Sequence, residues 1–376
     1  MKVVFPYLAQ IHQIPHTLPI AMEMARGGGV EVHLAASTEG HLAYMRQLAA
    51  AAYPGVPVTF KRLYLPWAVH AVADAGGWTI RPKKLTLLLN LSYLRSFNAI
   101  VVPERTSLFL RRFDMGRTRL VWTGHGGGDR ASGYTDNVGQ FDFVLLPGEK
   151  LATRHKAAGN IRDGHYGIGG YAKFDLVGRL AAGRKPLFDN GRPTVVYNPH
   201  FWPSLSSWHL VGFEVLDFFA NQSDYNLVFA PHMRVFDPPT AKKYEPFRRY
   251  MDLPHMRIDL GSAASTDMTY TGGADIYLGD VSSQIAEFTL RPRPLVFLDP
   301  RRTAWRDDPN YRSWQLGIVA ETVAELPEAL KRARETHREF RQLQADYFAE
   351  TFDVDPTVPS APRGAKAILD YLRTQA

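Results

Sequence analysis

The sequence predicts an α/β protein made of two Rossmann-like domains facing across a cleft, and three observations carry that expectation. Short apolar runs alternate with helical patterns along nearly the whole chain, as a parallel sheet covered on both faces requires. The alternation starts afresh after a polar stretch in the middle, Ala182-Gly183-Arg184-Lys185-Pro186 followed by Asp189-Asn190-Gly191-Arg192-Pro193. A length of 376 residues exceeds one ordinary core and suits two domains of roughly 150–190 residues each. The expected domains are therefore 1–182 and 183–376, with the last helix able to pack back onto the first.

The elements follow in order. Val3–Phe5, Val30–Leu34, Val58–Leu63, Ala99–Val102, Leu120–Trp122 and Phe143–Leu146 read as strands. Between them Leu18–Arg26, Leu42–Ala52, Leu85–Ser96, Leu108–Phe113 and Glu149–Ala158 read as helices. The second series has strands at Thr194–Tyr197, Leu227–Ala230, Arg257–Leu260, Ile276–Leu278, Leu295–Leu298 and Gly317–Val319. Its helices are Leu210–Phe219, Tyr244–Met251, Ser282–Thr289, Val323–Ala345 and a final one near Ala365–Leu372.

Composition narrows the function. Hydrophobic residues make up 45% and charged residues 22%, the proportions of an ordinary soluble domain protein. With no cysteine there is no disulfide, thiolate metal site or cysteine nucleophile, which fits a reducing compartment. Met1-Lys2-Val3-Val4-Phe5 runs directly into a strand pattern, so no signal peptide is expected. No apolar stretch approaches the roughly 20 residues that span a bilayer. The expected location is cytoplasmic, or peripheral on the inner face of the membrane. The net charge of +7 suits a phosphorylated substrate or an anionic membrane surface. No recognition helix, zinc finger or aromatic RNA-binding motif appears, so nucleic acid is not an expected partner.

In an open parallel sheet ligands bind beyond the carboxyl ends of the strands, and the unusual residues lie there. Ile276-Tyr277-Leu278-Gly279-Asp280 leads into Val281-Ser282-Ser283-Gln284-Ile285-Ala286-Glu287. Ser282 and Ser283 at a helix start offer hydroxyls and unbonded backbone N–H groups to a diphosphate, or Ser282 simply caps the helix. Glu287, one turn on, can accept from ribose hydroxyls. Phe229-Ala230-Pro231-His232-Met233-Arg234 places an imidazole and a guanidinium after a strand, both suited to phosphate. Leu120-Val121-Trp122-Thr123 leads into Gly124-His125-Gly126-Gly127-Gly128-Asp129-Arg130, where glycines leave an imidazole exposed and His125 is a candidate general base. His12 and His16 line the loop after the first strand, and His16 is a candidate acceptor ligand. Gly27-Gly28-Gly29 reads as a helix stop. There is no His-Glu-x-x-His, Gly-x-Ser-x-Gly or phosphate-binding Gly-Lys-Ser/Thr loop.

The order His125-Gly126, Gly170-Tyr171-Ala172-Lys173-Phe174-Asp175, Tyr197-Asn198-Pro199, Pro231-His232 and Asp280-Val281-Ser282-Ser283 resembles the CDP-glycerol glycerophosphotransferases of teichoic acid synthesis, which have the glycosyltransferase-B (GT-B) fold. The likeness spans roughly residues 118–300, Glu287 and Arg293–Phe297 included. It departs after His125, where Gly-Gly-Gly-Asp-Arg stands in place of the family's Thr-Pro-Leu-Lys, and around His232, set between Ala-Pro and Met-Arg.

The resemblance implies an acceptor domain at 1–182 and a nucleotide-donor domain at 183–376. His125 is then the base that activates an acceptor hydroxyl. His232, Ser282, Ser283 and Arg234 hold the donor phosphates, with His232 also catalytic, and Glu287 holds the donor's ribose or sugar. The implied reaction moves a phosphoalditol, most simply glycerol phosphate from a CDP-linked donor, onto a hydroxyl of a glycan or lipid-linked acceptor. No cofactor and no metal are expected, because no convergent carboxylate set is visible. Two other readings share the fold: a nucleotide-sugar glycosyltransferase, and a UDP-sugar 2-epimerase, for which Glu287 supplies only one of two paired acids.

Overall fold

The computed structural model describes residues 1–128, 136–181, 184–355 and 357–375. They form two compact units, one of residues 1–126, 136–181, 184, 350–355 and 357–375, the other of residues 127–128 and 185–349.

The first unit holds a seven-stranded sheet of β1 (Lys2–Tyr7), β2 (Glu31–Ala36), β3 (Thr59–Arg62), β4 (Ala99–Val102), β5 (Arg119–Trp122), β6 (Phe143–Leu146) and β7 (Tyr166–Ile168). The order is β3-β2-β1-β4-β5-β6-β7, every pairing is parallel, and Val4 lies between His33 and Ile100. A parallel sheet buries both faces, which is why β4 and β6 are apolar throughout and wholly buried. Helix Ser360–Thr374 packs in this unit against helices Ile14–Arg26 and Ala172–Ala181. Its Ala361, Ile368 and Tyr371 join the core around Val3, Phe5 and Leu18.

The second unit holds β8 (Thr194–Asn198), β9 (Asn226–Phe229), β10 (Met256–Ile258), β11 (Ile276–Gly279), β12 (Leu295–Leu298) and β13 (Ile318–Ala320). The order β10-β9-β8-β11-β12-β13 is again fully parallel. Both sheets have a point where successive strands begin to be added on the opposite side, β1/β4 in the first and β8/β11 in the second. Crevices form at such points.

Several expected helices are broken or shortened. The expected helix Leu85–Ser96 is two pieces, Lys83–Leu89 and Leu91–Arg95. Asn90 between them turns its side chain onto Tyr64 N, Tyr64 O and Thr86 O at 2.7–2.9 Å. Leu108–Phe113 is a 3-10 turn, Thr106–Arg112. The long helix Val323–Ala345 is a 3-10 turn followed by Leu326–Glu335 and His337–Thr351, parted at Thr336. The first helix starts at Ile14 rather than Leu18, with Pro15 in its first turn and Pro19 inside. Proline is at home in a first turn, where no N–H is needed. Strand Tyr166–Ile168 and helices Trp67–Ala75 and Ala172–Ala181 were not expected from the pattern.

Candidate functional site

In the first unit the loops after β1, β4 and β5 meet at the β1/β4 crevice. β5 ends at Trp122, and Gly124 turns the chain with φ +64, where a Cβ would stand 3.4 Å from the Trp122 ring. That turn presents His125. Its Nδ1 lies 2.8 Å from the Pro103 carbonyl, just past β4. A carbonyl only accepts, so Nδ1 carries the ring proton and Nε2 of the neutral ring keeps its lone pair. Gln13, from the 3-10 turn Ile11–Gln13 after β1, donates its side-chain N–H to Nε2 at 3.4 Å. His12 and His16 stand edge-on to His125, at centroid distances of 5.8 and 6.3 Å.

The electrostatics agree with a neutral base. His125 is exposed on one side. Even so, desolvation by surrounding protein lowers its pKa below the ordinary imidazole value, against the Pro103 bond and the Glu104 charge that raise it. Glu104 is buried and held by Thr106 N, Ser107 N and Ser107 Oγ. His16 is buried, and burial followed by the Lys173 charge holds its pKa well below the usual range. It lines a small pocket, open to solvent, together with Thr123, Leu145, Pro147, Gly170 and Tyr171.

Gly170 explains one stretch of the expected motif. Its φ is +73, and a Cβ would collide with Arg363 Nη2, Ser360 Oγ and the Asp353 carbonyl. Asp175 of the same stretch accepts from Ala361 N at 2.6 Å. Both tie helix Ser360–Thr374 to its unit. Their work is architectural.

In the second unit the switch point is braced by Asp280, at the end of β11. The carboxylate is fully buried and its Oδ2 accepts from His200 N at 2.8 Å and Ser207 N at 3.0 Å, both from the loop after β8. Its Oδ1 has no partner among the described residues. Burial, against these hydrogen bonds and the Arg301 charge, pushes its pKa up to about 7.

Of the expected donor ligands, Ser282 is the N-cap of helix Ser283–Phe288 and accepts from Gln284 N at 3.2 Å. Ser283 is half-buried at the first position, and Glu287 is buried at 4% exposure. His232 follows β9, and its Nδ1 accepts from Arg234 N at 3.2 Å. The neutral ring of His232 therefore carries its proton at Nε2. Arg234 is exposed, with its guanidinium 4.1 Å over the Phe201 ring, which also packs on His232 at 4.6 Å.

The fold thus brings His16 and His125 together in one unit. In the other, His232 and Arg234 follow β9 while Ser282, Ser283 and Glu287 follow β11. Asp129 and Arg130, beyond the glycines after His125, lie outside the described residues, as do Ala182 and Gly183 of the inter-domain stretch. Among the described residues no group of three or more His, Asp or Glu is arranged to hold a metal ion. The sequence reading missed Gln13 and the brace at Asp280. Gln13 carries no motif, whereas Asp280 stood in a quoted motif without a role.

No family model matches the sequence, and neither does any curated protein. Among solved structures, the wall teichoic acid polymerase TagF is similar over 99% of this chain and 89% of its own, at 13% identity and TM-score 0.67. UDP-GlcNAc 2-epimerase from Neisseria meningitidis bound to UDP-GlcNAc is similar over 100% of both chains, at 11% identity and TM-score 0.59. A Staphylococcus aureus structure, MnaA with UDP, is similar over 99% of this chain and 95% of its own, at 9% identity and TM-score 0.57. The architecture is that of these GT-B enzymes: two units, each a parallel sheet with helices.

Proposed function

We propose that the chain is a transferase that moves a phosphoalditol, most simply glycerol phosphate from CDP-glycerol, onto a hydroxyl of a glycan or lipid-linked acceptor. The observation that carries this reading is His125, held through Nδ1 with a basic Nε2 at the β1/β4 crevice. The fold shared with TagF supports it, as does the order of the motifs around His125, His232 and Ser282-Ser283.

In this reading the acceptor hydroxyl gives its proton to Nε2 of His125 as its oxygen attacks the donor's β-phosphorus. The new P–O bond forms as the bond to the bridging oxygen breaks, and CMP leaves carrying the bonding pair. His232 donates from Nε2 to the phosphates, Arg234 adds charge, and Ser282 and Ser283 offer N–H and hydroxyl groups at the helix start. Glu287 accepts from the donor's ribose or sugar, and His16 with its pocket receives the acceptor. Positioning and electrostatics suffice for this chemistry.

The membrane is the proposed source of the acceptor. Among the described residues no helix is long and apolar enough to cross a bilayer, but helix Trp67–Ala75 and its flanks show Trp67 (82% exposed), Val72 (62%) and Trp78 (51%) to solvent. Leu88 and Leu89, two positions of the apolar run next to Lys83 and Lys84, are exposed as well. Exposed tryptophans and leucines in a stretch that also carries Lys83 and Lys84 suit an interfacial, anionic lipid surface. Arg81 of the same stretch is turned inward, tied to Asp74, His70 and the Trp78 carbonyl. Co-sedimentation with phosphatidylglycerol vesicles should fall when Trp67 and Trp78 are replaced by Ala; wild-type protein indifferent to anionic lipid would remove this part.

The test of the reading is a thermal-shift screen with CDP, CMP, UDP, GDP, ADP and CDP-glycerol, followed by CMP release from CDP-glycerol. Stabilisation by CDP and CDP-glycerol above the rest is expected. Preference for UDP would favour the second reading, a nucleotide-sugar transferase or epimerase, which the likeness to UDP-GlcNAc 2-epimerase motivates.

A further inference from the structure

The partners of His125 create an asymmetry on its reactive side. The Pro103 carbonyl holds Nδ1 and can only accept a hydrogen bond, so the neutral ring has its lone pair at Nε2 and takes a donor there. Gln13 supplies one: its amide nitrogen lies 3.4 Å from Nε2, at the long end for a hydrogen bond. The other end of the amide, Oε1, is buried and has no partner among the described residues, so none of them holds the amide in this orientation by a second bond. Gln13 is 6% exposed, and its backbone N bonds Gln10 O at 3.1 Å in the turn that opens helix Ile14–Arg26. The residue is fixed; its amide is not.

We propose that Gln13 is the positioning residue of His125, an amide that donates to the neutral ring and turns over to accept from the protonated one. A glutamine carries a donor and an acceptor related by a half-turn about its last torsion. When Nε2 takes up a proton, the turned amide sets Oε1 opposite the new N–H, and the Pro103 bond stays unchanged. The ring keeps its place through proton uptake and release. A substrate hydroxyl that approaches Nε2 displaces only the long bond from Gln13. The charged and titratable groups around the ring are Glu104, which favours the imidazolium, and Arg105 and Lys83, which oppose it, with His12 and His16 alongside. None of these occupies the place of the Gln13 amide.

This inference rests on the reading of His125 as proton acceptor, and its test is read first without turnover. Long-range nitrogen–proton NMR of the full chain, titrated with pH, reports the tautomer and midpoint of His125 in wild type, Gln13→Glu and Gln13→Met. Wild type should show the Nδ1–H tautomer above its midpoint. Gln13→Glu should raise the midpoint by about one pH unit or more, as a carboxylate beside an imidazole does. Gln13→Met, which accepts from the imidazolium only weakly, should lower it. A wild-type ring protonated at Nε2, or both variants titrating at the wild-type midpoint, overturns the proposal, and the wild-type measurement stands even if a variant fails to fold. With CDP-glycerol as substrate, the acid limb of kcat/KM should follow the same midpoints. Expected NMR behaviour without CMP release counts against the donor reading alone, whereas release with one acid limb in all three proteins counts against Gln13.

Discussion

His125 and His232 are the same side chain after the same kind of strand, one in each unit, and the backbone gives them opposite tautomers. Nδ1 of His125 faces a carbonyl and must keep its proton; Nδ1 of His232 faces the Arg234 N–H and must give its proton up. The first ring is left a base at Nε2, the second a donor at Nε2. A single backbone atom opposite the inner nitrogen decides whether an imidazole takes a proton or offers one to an anion. The two crevices differ in the same way. Loops from both sides of the β1/β4 point hold a titratable ring open to solvent, while those of the β8/β11 point close on a buried carboxylate, Asp280, that accepts from His200 N and Ser207 N. One edge presents an open titratable ring; the other buries a carboxylate that holds the loop after β8.

The largest effect that can break this comparison is on turnover. His125→Ala should lower kcat by about 10²–10⁴-fold, the contribution of a general base, with CDP affinity by calorimetry nearly unchanged. His232→Ala should weaken CDP binding as well; equal and purely kcat effects from both histidines would dissolve the distinction between base and anion donor. In pH profiles of wild type, kcat/KM should fall toward acid as His125 protonates, with a midpoint below the ordinary imidazole value because its pKa is lowered. A midpoint well above that value would contradict the desolvated, neutral ring.

Asp280 sharpens the other half. Its folded pKa of about 7 lies above the unfolded value of about 3.9, so the folded state favours the protonated form. The stability this contributes is fully present below about pH 4 and is lost as pH rises through about 7, up to about 4 kcal/mol. Urea midpoints measured from pH 4 to 8 should fall in wild type, and Asp280→Asn should remove most of that slope. An identical slope in the variant would assign it elsewhere. Smaller again, Ser282→Ala with Ser283→Ala should weaken CDP binding by about 1–3 kcal/mol if they bond a charged phosphate. An unchanged affinity would leave Ser282 as a helix cap alone.

Much of the fold was legible because its period is local. Strands such as Ala99–Val102, Phe143–Leu146 and Leu295–Leu298 are continuous apolar runs, as strands buried on both faces require, and are too short for core helices. What escaped was set by contacts far along the chain. Asn90 breaks a helical pattern because Tyr64 needs its amide, and Tyr166–Ile168 is three half-buried residues at a sheet edge. At the site, His125, His232 and Ser282 could be picked out as unusual residues at strand ends. Their protonation could not, since it depends on Pro103 for one ring and on local backbone geometry at Arg234 for the other.

The sequence by itself determined the α/β class, the two series of strands and the loops that hold chemistry-bearing side chains, because hydrophobic period and strand-end position are properties of neighbours in the chain. The tertiary structure alone decided that Gln13, Pro103 and His125 meet, 90 residues or more separating the first from the others. It also decided that Asp280 is a buried brace and that Trp67 faces solvent. Burial and hydrogen-bond partners set tautomer and pKa, and in a parallel sheet those partners come from strands adjacent in space but distant in sequence.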